Sequence, residues 1–410
     1  MTLLRVFSIC DKVLREGAFL ENELNTELKN DKTDADFITA LCYGVVDRSF
    51  EFDYIISKLC SSVKKVLKTI LKIGFYQIKY MDIAKYAAVD NTVELCKKVK
   101  KDNAGFINAV LKRFIDYQLI LPDNLISAHC VQYSYPNWIV EKYLKYYKTD
   151  AEKILSYKES NLEHVRIICG RKEFTDLLQK NDIEYKDSIL LNAVYCDYKK
   201  LLNSKIPKSL YIGQNLGSML IVDEFKLDKT DSVLDACASP GGKSLYMANM
   251  CNRVLACDVS IQKIKKIQEN IKKLNVENVE TKVCDATVLQ DIGKFDKVLC
   301  DVPCSGLGIL YSKPDIKLHR TPQDVKEIIK IQKQILENCQ NYVKDNGFLM
   351  YSTCTLLKEE NEDIVNRFLN NNKNFKKVTE KTILPHVYNT EGFYFCFLKK
   401  HSSPDSGYVC

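Results

Sequence analysis

Two short segments place a cysteine just past an apolar, strand-like run: Asp301-Val302-Pro303-Cys304-Ser305-Gly306 and Tyr351-Ser352-Thr353-Cys354-Thr355. A thiolate suits covalent catalysis when its surroundings populate it below the ordinary thiol pKa of about 8.5. Cytosine is a ring that needs such help. Its C5 is too weak a nucleophile to take a methyl group directly, but a thiolate added at C6 makes an enamine-like species whose C5 can attack. A donor near N3 completes the activation, and a protonated Asp301 suits that role. The base must be unstacked to be reached from its face, so the substrate would be single-stranded or flipped out. Either cysteine alone could be filler, as most of the 17 must be. Two beside an acid at the ligand-binding edge of one sheet point to chemistry, although spacing leaves their two roles interchangeable.

A third segment, Leu234-Asp235-Ala236-Cys237-Ala238-Ser239-Pro240-Gly241-Gly242-Lys243-Ser244, reads as a strand running through a Gly-Gly turn into a helix. Without Cβ atoms in the way, backbone N–H groups can approach a ligand closely. Gly242-Lys243-Ser244 resembles the end of a phosphate-binding loop, but that motif needs a glycine where Cys237 stands. A nucleoside-type ligand fits better than a triphosphate. Asp258 follows about twenty residues on, where an acid can accept ribose hydroxyls. Asp285 and Asp301 end the next two expected strands. One acid at a strand end is as readily a helix or turn cap; three on successive strands favour a ligand site.

The elements that must position these residues are legible in the pattern. From about Tyr211, strands expected at Ser232–Cys237, Arg253–Asp258, Glu280–Cys284, Lys297–Asp301, Phe348–Ser352 and Phe393–Leu398 alternate with helices such as Ile261–Leu274 and Gln323–Val343. That rhythm predicts a mostly parallel α/β sheet covered on both faces, with ligands at its strand ends. Upstream, a helix at Trp138–Tyr147, strands at Val165–Cys169 and Ala193–Cys196, and a helix at Phe174–Gln179 describe a small α+β connector. From Leu3 to about Leu121 apolar residues recur at helical spacing (Phe37, Leu41, Val45; Val66, Ile70, Ile73; Phe106, Val110, Phe114), predicting an all-α bundle. Two lysine-rich stretches, Lys64, Lys65, Lys68, Lys72 and Lys97, Lys98, Lys100, Lys101, lie on these helices as polar faces or an RNA-facing patch.

The chain of 410 residues exceeds one usual core, so two or three domains are expected. No apolar run reaches the roughly 18 residues of a membrane span, and the N-terminal stretch is amphipathic, so no membrane partner and a cytoplasmic location are expected. Reduced thiols follow from that location. No C-x-x-C pair occurs and the five histidines are scattered, which argues against a metal. The net charge of +7 suits a polyanionic partner.

Taken together, the Gly-Gly-Lys turn, Asp-Val-Pro-Cys-Ser-Gly and Ser-Thr-Cys resemble the RNA 5-methylcytosine methyltransferases. Leu41-Cys42-Tyr43-Gly44-Val45-Val46 and Phe106-Ile107-Asn108-Ala109-Val110-Leu111-Lys112-Arg113-Phe114 are similar to a NusB-type RNA-binding domain. The combination resembles the RsmB (Sun) family of bacterial 16S ribosomal RNA methyltransferases over nearly the whole chain. The resemblance implies a Rossmann-like, S-adenosylmethionine-dependent methyltransferase domain (211–400), preceded by a NusB-like helical domain (1–125) and the α+β connector (126–210), with a tail at 401–410. It implies that Cys237, Ala238, Ser239, Pro240, Gly241, Gly242, Lys243, Asp258, Asp285 and Asp301 contact S-adenosylmethionine. Cys354 would be the nucleophile, Cys304 would assist product release, and Asp301 would also serve catalysis. The partner implied is 16S rRNA, with family-typical target cytosine 967; another RNA, tRNA or 23S rRNA, is the alternative substrate, and a monomer is expected. Pro314-Asp315-Ile316-Lys317 matches the family's stretch after Pro-Cys, while Gln214-Asn215 stands where Gln-Asp is usual, so a role needing charge at Asn215 is in question. A DNA methyltransferase would use Cys304 as nucleophile, and an inactive RNA-binding module would need neither cysteine.

Overall fold

The computed structural model describes residues 2–158 and 162–402. The expected tail therefore lies outside the described residues beyond Ser402. The chain divides into two compact units, Met1–Ser156 with Leu310–Arg320, and Tyr157–Ile309 with Thr321–Cys410.

The first unit is helical. Helices Thr2–Asp11, Leu20–Asn30, Ala35–Asp47, Ser49–Leu59, Lys65–Tyr80, Lys85–Lys100 and Ala104–Ile115 bury one core. That core contains Leu41, Val45, Ile70, Ile73, Val110 and Phe114, from the stripes read in the sequence, together with Val6. Gly44 makes room for its neighbour, since a Cβ there would fall 1.9 Å from the Tyr76 ring and the ring would have to move. Lys72 does not face RNA. It is only 5% exposed, donating to Ser49 Oγ and pairing with Asp53 at 2.8 Å, because its helix position points into the bundle. The segment 310–320 completes this unit: Asp315 Oδ2 accepts the Leu20 amide at 3.2 Å, and buried Lys317 pairs with Asp47 at 2.7 Å.

The second unit holds two sheets. The smaller contains β1 (Glu163–Ile167), β2 (Tyr185–Asp187), β3 (Ala193–Cys196) and β4 (Tyr211–Gly213) in the antiparallel order β2-β3-β1-β4. The larger contains β5 (Ser232–Asp235), β6 (Arg253–Asp258), β7 (Val279–Val283), β8 (Phe295–Asp301), β9 (Val343–Thr353), β10 (Phe375–Ile383) and β11 (Phe393–Lys400), in the order β10-β11-β9-β8-β5-β6-β7. Strands β5 to β9 are parallel; β11 runs antiparallel beside β9, and β10 beside β11. Alternate residues feed opposite cores, Leu234, Val298 and Leu349 on one face and Val233, Leu299 and Met350 on the other. Both faces are therefore covered, as the continuous apolar runs of these strands require. This is the expected Rossmann-like architecture. The chain runs outward through β6 and β7 and returns to β8 on the other side of β5. The strand order reverses there, where such sheets bind ligands.

Several expectations shift: the strand foreseen at Val165–Cys169 is Glu163–Ile167, and the short strands β2 and β4 were not foreseen. The helix foreseen to Val343 spans Pro322–Cys339, because a 3₁₀ turn at Gln340–Tyr342 hands the chain to β9, which already begins at Val343. Strand β10 was not foreseen. As an edge strand its mid-section is lysine-rich and exposed, so it lacks the apolar signature of its neighbours.

Candidate active site

The turn between β5 and the helix Gly242–Ala248 is shaped by Gly241, whose φ of +102° favours glycine. Its amide donates to Ala238 O at 2.7 Å, and the Ala238 amide donates to Cys257 O at 2.8 Å, tying the turn to β6. Asp258 reinforces that tie. Its Oδ2 accepts the Ser239 amide at 3.0 Å, its Oδ1 accepts the Val259 amide at 2.7 Å, and Lys263 lies 3.1 Å away. Cys237 and Pro240 belong to the same turn, and burial pushes the Cys237 thiol up, so it stays protonated. Asp285 stands apart at the end of β7, where its Oδ1 caps a turn by accepting the Thr287 amide and hydroxyl at 2.9 and 2.7 Å.

At the switch point, Lys243 reaches across to Asp301 at the end of β8, Nζ to Oδ2 at 2.7 Å, while Ser352 donates to Oδ1 at 2.8 Å. Burial alone would lower the Lys243 ammonium, but the Asp301 carboxylate outweighs it and holds the proton on lysine. Asp301 thus stands paired with Lys243 rather than alone at the strand end, as the sequence reading of a lone acidic donor had it.

Beside this ion pair lie the two cysteines. Cys304 Sγ and Cys354 Sγ are 2.9 Å apart, and the Cys354 amide donates to Cys304 Sγ at 3.2 Å. Of the sixteen cysteines among the described residues, all free thiols, ten are buried. These two are partly exposed, as a reacting pair must be. The hydrogen bond with Cys354, burial, and the nearby Glu360 charge all push the Cys304 thiol well above its ordinary value. Backbone contacts lock the two loops together: the Gly308 amide donates to Cys354 O at 2.9 Å, and the Gly392 amide donates to Gly308 O at 2.7 Å. A Cβ at Gly308 would sit 2.0 Å from that Gly392 region's carbonyl oxygen.

Sequence reading missed two acids. Asp235, inside the quoted motif, is 1% exposed at the end of β5. Its Oδ2 accepts the Ser244 hydroxyl at 2.6 Å, while its buried Oδ1 has no partner. Burial pushes this carboxyl up to about 7, against the opposing pull of Ser244. Glu360, fully buried behind the cysteines, gave no signal beyond following Ser-Thr-Cys. Asn215, where Asp is usual, caps the helix Leu216–Glu224: its Oδ1 accepts the Gly217 amide at 2.8 Å, a task Asn and Asp do equally well.

An unpartnered buried carboxylate oxygen beneath a glycine turn, with Asp258 across it, fits a ligand carrying an ammonium and a ribose. S-adenosylmethionine has both. Among the described residues no group of three or more His, Cys, Asp or Glu is arranged to hold a metal, and no helix is long and apolar enough to cross a membrane.

Residues 224–399 match the family described as 16S rRNA methyltransferase RsmB/F, and residues 3–116 match the NusB family. The chain is 28% identical to a Bacillus subtilis protein named "Probable ribosomal RNA small subunit methyltransferase B", covering 95% of this chain and 94% of that one. It is likewise 28% identical to the ribosomal RNA small subunit methyltransferase B of Photorhabdus laumondii, covering 95% and 96%. Among solved structures it resembles PH0851, with TM-score 0.80, 20% identity, and 97% and 99% of the two chains covered. It also resembles NSun6 from Pyrococcus horikoshii with SFG, with TM-score 0.58, 21% identity, and 65% and 99% covered.

Proposed function

We propose a reaction from one premise: the chain belongs to the RsmB/F methyltransferase family, with a NusB-family domain ahead of its methyltransferase domain, and is an RNA methyltransferase. Its substrate class is ribosomal RNA, as the names of its relatives indicate. The finer reading is methylation of cytosine C5 in 16S rRNA, with the family-typical position 967 as the target. The observation that carries it is the Cys304–Cys354 pair, 2.9 Å apart, beside the Lys243–Asp301 ion pair at the end of β8.

S-adenosylmethionine, when bound, supplies the methyl electrophile. Asp235 would hold its ammonium and Asp258 its ribose, with the turn from Cys237 to Lys243 around it and Asp285 at the rim. The chain's own residues do the rest. Cys304 keeps its proton and donates it in the sulfur–sulfur hydrogen bond, which leaves Cys354 as the acceptor sulfur and nucleophile. Cys354 Sγ bonds to cytosine C6, and the electron pair of the C5–C6 double bond moves into the ring. The Lys243–Asp301 pair holds one proton beside N3 and delivers it there as that charge develops. Once C5 has taken the methyl group, with the thioether of the spent donor as leaving group, the C5 proton leaves to solvent, the C5–C6 double bond re-forms as the C6–S bond breaks with its electron pair returning to Cys354, and N3 gives its proton back to the Lys243–Asp301 pair. A thiol at Cys304 stabilises the departing sulfur by hydrogen bonding, which is how it assists release. We assign the helical residues 1–125 to RNA binding, 126–210 to the connector and 211–400 to catalysis.

The test uses RNA carrying 5-fluorocytosine at the target, which traps the covalent adduct because C5 has no proton to lose. Wild type and Cys304→Ala should form the adduct, and Cys354→Ala should not. An adduct that survives in Cys354→Ala and vanishes in Cys304→Ala refutes the assignment. Bisulfite mapping of rRNA from cells with and without the gene identifies the nucleotide.

A further inference from the structure

Behind the cysteine pair lies a carboxylate that the reaction as derived does not use. Glu360 is fully buried. Its Oε2 accepts the Ser305 amide and the Gln332 side-chain amide, both at 2.9 Å. Its Oε1 accepts the Ser305 hydroxyl at 2.5 Å and the Thr355 hydroxyl at 3.1 Å, and those two hydroxyls are themselves 2.8 Å apart. Among the described residues no lysine or arginine pairs with it. All four donors are neutral: burial pushes the Glu360 carboxyl up, and the hydrogen bonds from Ser305, Gln332 and Thr355 are what oppose it and favour its ionised form.

The donors are the significant feature. Ser305 directly follows Cys304, and Thr355 directly follows Cys354. One carboxylate therefore grips the residue after each sulfur, and the chain segment bearing it is fixed in turn. Asn361 accepts the Thr353 hydroxyl at 2.6 Å and donates to Thr355 O at 2.9 Å, while the Tyr351 hydroxyl donates to Glu360 O at 2.6 Å. Shape alone does not call for a carboxylate here, since an uncompensated buried charge is expensive to desolvate and a neutral residue could fill the space. A fixed charge does something a neutral residue cannot, which is to decide where a shared proton rests.

We propose that Glu360 is a positioning residue for the cysteine pair: its buried carboxylate ties the two cysteine loops in register and holds the shared proton on Cys304, so that a single sulfur, Cys354, is left to attack. The inference rests on the cysteine roles given above. The titratable groups around the pair divide accordingly, Lys243 acting on Cys354, and Glu360 with the neutral Tyr351 acting on the Cys304 side. The lysine favours a negative sulfur and the glutamate opposes one, so the pair is polarised by charges of opposite sign.

The test is trace alkylation with iodoacetamide at several pH values, with each cysteine followed by peptide mass mapping, in wild type and Glu360→Gln. Thiolates alkylate and thiols do not. Wild type should modify Cys354 at least about tenfold faster than Cys304, and Glu360→Gln should narrow that ratio by about tenfold, one pKa unit of relative acidity. A purely structural role lowers turnover and melting temperature without changing the ratio, and an unchanged ratio overturns the proposal. If Glu360→Gln does not fold, Ser305→Ala removes one donor and should move the ratio the same way by about threefold; no movement there overturns the proposal equally. The alkylation needs no RNA. An adduct found on Cys304 with 5-fluorocytosine RNA would overturn the assigned roles, while the response of the ratio to Glu360 is judged separately.

Discussion

Replacing Asp235 by Asn should make the cofactor-free protein more stable and the enzyme worse. Burial pushes the Asp235 carboxyl up to about 7 from an ordinary 3.8, a difference of roughly three pKa units. At about 1.4 kcal/mol per unit, this is about 4 kcal/mol. The folded state binds this proton more tightly than the unfolded chain, so stability is highest at low pH and is drawn down as pH rises from about 4 to about 7. Asn removes the buried charge and can still accept the Ser244 hydroxyl. Its amide nitrogen then takes the place of the unpartnered Oδ1, which costs back about 1–3 kcal/mol. The net gain at pH 8 is about 2 kcal/mol, or roughly thirtyfold slower hydrogen exchange through unfolding in peptides spanning 232–248. The advantage should collapse at about pH 5.5, where the wild-type carboxyl is already protonated. Calorimetric titration with S-adenosylmethionine at pH 8 should show the opposite cost, with affinity down more than about tenfold. Equal exchange at both pH values, or unchanged cofactor affinity, would refute the view that Asp235 is a strained, ligand-seeking carboxylate.

Gly308→Ala places a Cβ 2.0 Å from a backbone oxygen at Gly392 and 2.8 Å from Cys354 O. It should abolish adduct formation on 5-fluorocytosine RNA, by more than about a hundredfold, while calorimetry still detects cofactor binding at the turn. Asn215→Asp keeps the helix cap but turns the Asn215–Glu391 hydrogen bond of 3.2 Å into a contact of two carboxylates. Thermal melting should show a loss of about 1–2 kcal/mol at pH 7, partly recovered below about pH 5 as one carboxyl protonates, with methyl transfer unchanged.

What the sequence disclosed and what it withheld divide along one line. Leu234, Val298 and Leu349 are apolar because both faces of their strands are covered, and that periodic demand writes the parallel sheet plainly into the chain. Cys304, Cys354, Asp301 and the Gly-Gly-Lys turn were legible because each ends such a strand, and a strand end has a place in the sheet before any side chain is considered. Lys243 shows where that logic stops. Its presence in the turn was visible, but its 2.7 Å pairing with Asp301, 58 residues on, depends on β5 and β8 lying side by side, which local pattern does not encode. Strand β10 was silent for the opposite reason, since an exposed edge strand has no buried face to demand a pattern.

Asp235 and Glu360 mark the deeper limit. Both are carboxylates in the interior, where composition predicts none, and the sequence offers no way to distinguish them from the exposed acids around them. The structure separates them by their partners. Glu360 has four donors and is satisfied, so its charge serves the groups it holds; Asp235 has one donor and a bare buried oxygen, so its charge awaits a ligand. Burial pushes both carboxyls up, and at Glu360 hydrogen bonds from Ser305, Gln332 and Thr355 oppose it, where at Asp235 the main opposing bond is that of Ser244. The count of donors, rather than burial, is therefore what distinguishes a residue that positions the catalytic pair from one that receives the methyl donor.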